Sequence, residues 1–478
     1  MNEEAALQAI RSVASRRGSE LDLSGRNLTE LPPEIGYCTK LQELDLDGNQ
    51  LVRLPAELGR LTNLRVLHVG RNRLSELPPE IGGLASLEDL LLFDNRLRAL
   101  PPEIGRLTSL RELYLEDNEL SVLPREIGHL ASLELLRLNG NQLAELPPTI
   151  GRLASLIELC LENNGLSSLP REIGKLGSLE GLELEGNELS ELPEEMETLT
   201  GLEDLFLDGN RFEVLPAVVG QLTGLTWLSL GNNSLVRLPA EVGQLDELEH
   251  LDLRDNRLEE VPAEIGGLSS LEELDLGGNR LAWLPSELGR LTSLEMLFLK
   301  DNRLRELPPT IGQLTQLRWL HLDENRLSAL PPELGRLEEL EWLRLGGNRL
   351  TRLPGEIGSL ASLESLRLDG NRLIELPAEI GSLGKLEELR LDGNQLAQLP
   401  PELGALASLL ELHVRKNRLT EGPEELCQLT SLYALHLEGN PLTQLPEGLK
   451  SLPKLETLDI DGTPLSLEML YDDFSPPA

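Results

Sequence analysis

The sequence has little of several things that most folds and functions need. Only three of its 478 residues are cysteines, Cys38, Cys160 and Cys427, and they lie more than a hundred residues apart. An odd and scattered set of this kind argues against a disulfide framework. Aromatic residues make up 3% of the chain, too few for a globular core of large rings. No apolar run approaches the length of a membrane span, so we expect no membrane insertion.

Cations are also scarce. The chain has 43 Lys and Arg against 81 Asp and Glu, a formal net charge of −38. Nucleic-acid backbones and anionic membranes repel such a chain, so we expect no nucleic-acid partner. Disorder is not indicated, because 40% of the residues are hydrophobic. The first 18 residues, MNEEAALQAIRSVASRRG, begin with acids and lack a continuous apolar run. They do not read as a signal peptide, and we predict a cytoplasmic protein.

Catalytic motifs are absent as well. The sequence contains no HExxH, GxSxG or CxxC and no glycine-rich phosphate loop, so we predict no enzyme and no cofactor. Two groups could bind metal but are not predicted to. A solvated acidic face accounts for the first group, and the second has no obvious third ligand. The groups are Glu183, Glu185, Asp204 and Asp208, and the pair His413 and His436.

What the chain does have is a repeat. Asn recurs every 23 residues from Asn49 to Asn440, and the frame extends to Arg26 and Thr463, which makes 20 rungs. Around each Asn the unit reads LxxLxxLxLxxNxLxxLPxEIGxL. The LxL pair places two Leu on one side of a short extended segment, and parallel stacking buries a core that no single unit could bury. The Asn amide can bond turn backbone in every rung, and we expect the Gly to permit a tight bend.

The unit resembles the 23-residue class of leucine-rich repeat. Its consensus sequence is similar to that of the intracellular Ras-associated group. This group includes Ras–Raf scaffolds, plant intracellular Ras-group proteins, Scribble-type scaffolds and the repeat domains of Roco proteins. That resemblance implies a protein-binding scaffold in intracellular signalling, with a small GTPase, a kinase or a phosphatase as partner. The sequence lacks the GxxxxGK[ST] segment of a Roco GTPase.

Repeat and resemblance together predict one α/β fold. We expect a single right-handed leucine-rich-repeat solenoid of about 20 rungs. It has a parallel concave β-sheet and short helical or 3-10 turns on the convex side. The predicted segments are a capping helix at 1–18, the solenoid at 19–465, and a C-terminal cap with a frayed tail at 466–478.

Recognition is expected on the strand side. We call the residues six, four, two and one positions before each Asn, or its equivalent, the strand face. It holds seven of the 13 aromatic residues and five of the six His. The apolar residues form three islands on neighbouring rungs: Leu91, Phe93 and Tyr114; Phe206 and Trp227; Met296, Phe298, Trp319, His321 and Trp342. Exposed aromatic side chains rimmed by charge are typical of protein-binding hot spots, although cross-strand stacking that only stabilises the sheet is an alternative.

A basic column lies four residues before successive Asn positions. Its members are Arg344, Arg367, Arg390, His413 and His436. Like charges on neighbouring strands are unfavourable. The column is therefore either neutralised by flanking acids such as Glu388 and Asp392, or a track for an acidic partner surface or a C-terminal carboxylate.

The rest of the strand face is acidic. It has 30 acids and nine Arg or Lys, and we define an acidic zone by Glu158, Glu162, Glu183, Glu185, Asp204 and Asp208. Cys160 falls within this zone, and we expect an exposed thiol there. We predict a monomer when free, with a protein partner that has a basic surface and a local acidic feature. The alternatives are a bacterial effector that binds a host target, and a regulatory subunit of a separate GTPase, ligase or phosphatase chain.

Overall fold

The structure is a computed structural model that describes residues 3–465. These divide into two compact units, unit 1 up to Ser234 and unit 2 from Leu235. Among residues 3–465, no helix is long and apolar enough to cross a lipid bilayer. The predicted cap and tail at 466–478 lie outside the described residues.

Unit 1 begins with helix α1 (Glu3–Arg16), which has acids in its first turn, Arg16 in its last, and Ala6 and Ile10 buried. The helix packs against the first strand and the first 3-10 turn. The strands are β1 (Glu20–Asp22), β2 (Glu43–Asp45), β3 (Val66–His68), β4 (Asp89–Leu91), β5 (Glu112–Tyr114), β6 (Leu135–Arg137), β7 (Glu158–Cys160), β8 (Gly181–Glu183), β9 (Asp204–Phe206) and β10 (Trp227–Ser229). The 3-10 helices are Pro33–Tyr37, Ala56–Arg60, Pro79–Gly83, Pro102–Arg106, Arg125–His129, Pro148–Arg152, Arg171–Lys175, Glu194–Thr198 and Ala217–Gln221.

Unit 2 repeats the same alternation. Its strands are β11 (His250–Asp252), β12 (Glu273–Asp275), β13 (Met296–Phe298), β14 (Trp319–His321), β15 (Trp342–Arg344), β16 (Ser365–Arg367), β17 (Glu388–Arg390), β18 (Glu411–His413), β19 (Ala434–His436) and β20 (Thr457–Asp459). Its 3-10 helices are Ala240–Gln244, Ala263–Gly267, Ser286–Arg290, Pro309–Gln313, Pro332–Arg336, Gly355–Ser359, Ala378–Ser382, Pro401–Ala405, Glu424–Gln428 and Glu447–Ser451.

Within each unit, consecutive strands pair in parallel with a register of one repeat. Leu44 lies opposite Leu67 in unit 1, and Leu320 lies opposite Leu343 in unit 2. The Leu at the centre of the strand points inward, while its two neighbours point outward. The predicted fold class, an α/β solenoid of about 20 leucine-rich rungs with parallel strands and 3-10 turns, is confirmed. The proposed segment boundaries at 18 and 465 stay predictions.

The core is a stack of leucines. Leu110, Leu113, Leu115 and Leu120 of one rung are fully buried, as are their equivalents in most other rungs. Burying one Leu side chain contributes about 1.5 to 3 kcal/mol. A lone rung leaves both of its flanks open, so the apolar stack forms only when neighbouring rungs cover each other.

The repeated Asn forms the expected ladder of hydrogen bonds. Asn325 donates through Nδ2 to the carbonyl oxygens of Leu322, at 3.2 Å, and of Leu299 in the preceding rung, at 2.8 Å. Its Oδ1 accepts the Leu304 N–H at 3.0 Å. One side chain thus satisfies backbone groups of two rungs at once, which explains why Asn is repeated at this position.

The Gly of the Glu-Ile-Gly turn has a different role from the one expected. Gly59, in a rung where the turn reads Glu-Leu-Gly, does not adopt a positive φ, so it is not needed for a tight bend. A Cβ at this position would lie 2.3 Å from the carbonyl oxygen of Glu80 in the next rung. The Gly is therefore required because the 3-10 turns of neighbouring rungs stack so closely.

Positive φ occurs instead at the residue before each Asn. This residue is a Gly in some rungs, such as Gly347 at 64°, and a non-Gly in others, such as Glu324 at 53° and Arg71 at 52°. The left-handed conformation costs most residues about 1 to 2 kcal/mol and Gly almost nothing. The rungs with non-Gly residues here therefore carry local strain.

Candidate protein-binding surface

The strand face is ordered into columns by the one-repeat register. First strand residues of successive rungs lie side by side, as Met296, Trp319 and Trp342 do. Third strand residues form a second column, in which Phe298, His321 and Arg344 are neighbours. Residues far apart in sequence therefore meet because three-residue strands repeat without insertion.

The largest island is brought together as predicted. The Trp319 and Trp342 rings stack with centroids 5.2 Å apart and planes 18° apart. The His321 ring lies edge-on to Phe298 at 5.1 Å and tilted to Trp319 at 6.4 Å. All four rings are partly exposed, and none belongs to the leucine core. They form a continuous aromatic surface across β13, β14 and β15.

His321 is neutral at physiological pH. Burial, followed by the nearby charges of Arg344 and Lys300, lowers its pKa to about 4. Its Nε2 is buried and has no hydrogen-bond partner within the described structure. His321 therefore adds a flat polar ring to the island without adding a charge.

The other two islands differ from each other. Phe206 and Trp227 meet at 5.9 Å with planes tilted by 55°, and Trp227 is 41% exposed. In the island of Leu91, Phe93 and Tyr114, each ring is covered by a cation from a neighbouring rung. Arg71 lies 5.5 Å from the Phe93 centroid and Arg137 lies 5.6 Å from that of Tyr114.

Tyr114 is further tied to the sheet by its own strand. Its hydroxyl donates to Glu112 Oε2 at 2.7 Å. Burial and the Glu112 carboxylate raise the pKa of Tyr114 to about 12. Sequence reasoning missed the covering role of Arg71 and Arg137. An Arg placed one rung from an aromatic residue on the strand face is the signal that could have found it.

Much of the basic column is neutralised by acids of the same face. Glu388 Oε2 lies 3.2 Å from Arg367 Nε and accepts a 2.7 Å hydrogen bond from the Ser365 hydroxyl. The same carboxylate also pairs with Arg390. Although burial opposes it, this set of donors holds the pKa of Glu388 below its usual range. At Arg367 and Arg390 the structure therefore matches the first alternative, in which flanking acids neutralise the basic column.

The two His of the column stack on each other with centroids 4.4 Å apart. His413 is only 5% exposed and contacts Glu411 through Nε2 at 3.1 Å, and burial is the main reason for its lowered pKa. His436 pairs with Asp459. Arg415, which sequence reasoning did not select, joins this end of the face because its Nε lies 2.9 Å from Glu438 Oε1.

Arg344 differs from the rest of the column. Among residues 3–465, it forms no ion pair with an acid, and its buried Nε has no hydrogen-bond acceptor. The Asp323 carboxylate attracts it but accepts the Gly346 N–H at 2.6 Å. Burial and the charge of Arg367 lower the pKa of Arg344. Arg344 is thus the column member that pairs directly with no acid among the described residues.

The acidic zone has the opposite character. Burial and a hydrogen bond with Glu183 raise the pKa of Glu162 to about 8. Burial also raises the pKa of Glu185. One buried oxygen each of Glu162, Glu185 and Asp208 has no hydrogen-bond partner in the described chain. In this zone carboxylates face carboxylates, and protonation relieves their repulsion.

The thiol expected to be exposed is not. Cys160 is only 2% exposed, because its short side chain lies between the larger side chains of Arg137 and Glu183 on the neighbouring strands. Its Sγ lies 3.2 Å from Glu158 Oε1. Burial and the nearby carboxylates raise the pKa of the thiol well above its usual range.

The two sets of possible metal ligands named in the sequence analysis are not the sets whose ligand atoms come together. Within the described residues, the groups whose ligand atoms come together include Glu158 with Cys160 and Glu183, and His436 with Glu438 and Asp459. The set of Glu183, Glu185, Asp204 and Asp208 does not form such a group. His413 and His436 fall in two separate groups, and each group contains a carboxylate already paired with Arg.

Comparison with known proteins identifies the family to which the repeats belong. A leucine-rich repeat region profile matches residues 19–116, 101–184 and 219–297, and a leucine rich repeat profile matches 315–373 and 384–442. No curated protein sequence gives a significant match. An internalin of Listeria monocytogenes shares the fold at 22% identity, over 71% of this chain and 94% of that chain, with a TM-score of 0.53.

Two further solved structures are similar over nearly the whole chain. The receptor kinase HAESA of Arabidopsis, in complex with the peptide hormone IDA and the co-receptor SERK1, is 30% identical over 96% of this chain and 85% of that chain, with a TM-score of 0.69. A leucine-rich-repeat protein of Leptospira interrogans is 35% identical over 96% of this chain and 99% of that chain, with a TM-score of 0.56. With both profiles and these similarities together, the chain belongs to the leucine-rich-repeat family.

Proposed function

We propose that the chain is a non-enzymatic scaffold that binds a protein partner on the strand face of β13–β15. The observation that carries this proposal is the stacked pair of Trp319 and Trp342 beside Phe298 and His321. The leucine core does not need these rings, yet they pack against one another in one cluster. Rigid aromatic surfaces bind with little loss of conformational entropy, and Trp is enriched among binding hot spots.

The family supports a binding role. Leucine-rich repeats are typically protein-interaction modules, and HAESA is seen in complex with a peptide hormone and a co-receptor. Signalling partners of the small GTPase, kinase or phosphatase class follow from the resemblance to Ras-group scaffolds. We therefore propose a partner from one of these three classes, and we propose that the chain itself has no enzymatic activity.

The charge of the strand face indicates what kind of partner binds there. Since acids outnumber bases by 30 to nine on the strand face, a partner with a basic surface is attracted to it. Near Arg344 the preference reverses, and a local acidic feature fits there. We propose a monomer when free and a cytoplasmic setting, to which the three free cysteines are suited. Localisation of a tagged chain in fractionated cells tests the setting.

Affinity capture from extract of the source cells tests the function. The baits are wild type, Trp319→Ala/Trp342→Ala, and Trp283→Ala as the matched control. Trp283 is 47% exposed and lies off the strand face. We expect a partner that the double variant loses and the control retains. If all three folded baits capture the same proteins equally, the strand face of β13–β15 is not the binding surface.

Two alternatives remain as predictions. A bacterial effector that binds a host target requires secretion, which a secretion-deficient strain tests. A regulatory subunit of a GTPase, ligase or phosphatase requires a catalytic chain that co-purifies in fixed stoichiometry.

A further inference from the structure

We infer that Arg344 is the recognition point for a single side-chain carboxylate, from an Asp or Glu within an otherwise basic segment of the partner. The inference rests on the proposed function and names the chemistry that the surface of β13–β15 selects. The site consists of Arg344 with the stacked Trp319 and Trp342 beside it, and His321 as its neighbour on β14.

The first step is that, among residues 3–465, no carboxylate pairs directly with Arg344, although Asp323 and Glu388 act on its charge from further away. Its neighbours in the column, Arg367 and Arg390, share the Glu388 carboxylate. Further along the face, His436 pairs with Asp459, and Arg415 pairs with Glu438. An unpaired cation that is partly buried is unfavourable, so an incoming carboxylate gains more at Arg344 than at the neutralised positions.

The second step concerns the polar atoms left without partners. Arg344 Nε and His321 Nε2 are both buried and have no hydrogen-bond partner in the described part of the chain. The two residues face each other across the β14–β15 pair. A buried donor without an acceptor costs about 1 to 3 kcal/mol. A carboxylate has two oxygens and about four acceptor sites, so a small rotation of the guanidinium lets it satisfy the Arg.

The third step limits the charge of the ligand. The Asp323 and Glu388 carboxylates act on the Arg344 guanidinium from either side along the face. These two carboxylates offset part of the Arg344 charge and repel an incoming anion. The second negative charge of a phosphorylated side chain therefore gains little further attraction from the single guanidinium and adds repulsion from the surrounding acids. The strand face as a whole is acidic, which favours a segment whose remaining charges are positive.

The fourth step gives the neighbour of the acid. Trp342 and Arg344 are the first and third residues of β15, so their side chains leave the sheet on the same side. Trp319 stacks on Trp342 at 5.2 Å and extends the ring surface to β14. A segment that places its acid on Arg344 therefore places an adjacent large apolar side chain on the two Trp rings.

The source of the carboxylate is a side chain within a segment. The strand face continues on both sides of Arg344, with rings on β13 and β14 and the ion-pair lattice from β16 onward. A segment that crosses several rungs has chain on both sides of the acid, whereas a chain end at Arg344 leaves half of this surface uncovered.

The test selects phage-displayed random peptides on the wild-type protein. Enriched peptides are synthesised with acetylated and amidated ends, so that side chains supply the only carboxylates. Fluorescence anisotropy then measures their affinity for wild type, Arg344→Gln, Trp319→Ala/Trp342→Ala, and Arg349→Gln. Arg349 is exposed and follows the Asn of the same rung, off the strand face, and serves as the matched control. Thermal melts confirm that each variant folds.

We expect enriched peptides in which one Asp or Glu adjoins a large apolar residue among basic residues. Changing that acid to its amide lowers the affinity for wild type at least tenfold but for Arg344→Gln less than twofold. The Arg349→Gln protein binds like wild type. A non-amidated peptide that binds more tightly than its amidated form assigns the site to a chain terminus and overturns the inference, as does a preference for a phosphorylated residue.

The two proposals can fail separately. If peptides need the Trp pair but bind Arg344→Gln as well as wild type, the carboxylate assignment is wrong and the proposed function stands. If the peptides bind independently of Trp319 and Trp342, the proposed function fails as well.

Discussion

Glu162 and Glu388 are the same residue type on the strand faces of the two units, in opposite surroundings. Glu162 belongs to the acidic zone, where burial and Glu183 raise its pKa to about 8. Glu388 lies between Ser365, Arg367 and Arg390, and these donors keep its pKa low. The backbone around both is one repeated design, so the difference comes from the side chains on adjacent rungs. In a regular solenoid the backbone is therefore the same in every rung, while the side chains of the strand face differ from rung to rung and set the local electrostatics.

The largest expected effect is a loss of stability when the Asn hydrogen-bond ladder, which both units share, is interrupted. Asn187→Ala in unit 1 and Asn325→Ala in unit 2 each leave backbone groups of two rungs without partners. We expect each to lower the free energy of unfolding by about 2 to 4 kcal/mol, measured by urea denaturation. Asn63→Ala, which removes one exposed hydrogen bond to Thr39, is the control. A loss in one unit more than twice that in the other contradicts a common support.

A smaller loss is expected at the centre of the basic column. Glu388→Gln leaves Arg367 and Arg390 side by side without their shared counter-ion, at a cost of about 1 to 2 kcal/mol in this partly solvated site. Because the folded pKa of Glu388 is depressed, its contribution is present above the unfolded pKa and disappears as the pH falls through the folded value. Denaturation of variant and wild type at pH 7 and at low pH measures this.

The control for that substitution is Glu341→Gln. Glu341 pairs with Arg318 at 2.6 Å at the solvent-facing edge of the strand, and we expect a smaller change there. Equal losses at Glu341 and Glu388 would show that the shared carboxylate has no special role in the column.

In the acidic zone the same type of substitution is expected to act in the opposite direction. Between the unfolded pKa and about 8, folded Glu162 keeps a proton that the unfolded chain releases, so wild-type stability falls as the pH rises through this window. Glu162→Gln removes that loss and raises the melting temperature at pH 9 relative to wild type. Glu180→Gln, at an exposed neighbouring position, leaves the pH dependence unchanged. A lower melting temperature for Glu162→Gln at pH 9 would contradict the assignment.

The smallest effect concerns the strained residue before the Asn. Glu324→Gly relieves a φ of 53° and is expected to stabilise the chain by about 0.5 to 1 kcal/mol. Asp117→Gly, at the equivalent position of unit 1, gains less because Asp tolerates this conformation better. The reverse change, Gly347→Ala, destabilises. Guanidinium midpoints resolve the order, and a larger gain at Asp117 than at Glu324 would argue against strain as the cause.

Much of the fold follows from local patterns. The 23-residue period, the LxL pair and the Asn of each rung predict strand spacing, core and ladder, because each depends on a residue's own rung and the next. The role of Gly59 was misjudged, since the Glu80 carbonyl that requires it belongs to another rung's backbone. The positive φ before each Asn was also missed, although the alternation of Gly, Asp and Asn at that position is a visible signal.

The candidate surface was only partly predictable. The register places Trp319 beside Trp342, so the sequence alone determined which residues are neighbours. It could not determine that Glu388 pairs with two Arg while Arg344 pairs directly with no acid of residues 3–465, because pairing depends on side-chain rotamers and a few ångströms of reach. The burial of Cys160 had the same cause, since longer neighbours closed over a short side chain. The sequence by itself therefore determined the scaffold and its columns through strict periodicity. Only the tertiary structure decided which charges cancel and which remain available, because pairing depends on the distances between atoms.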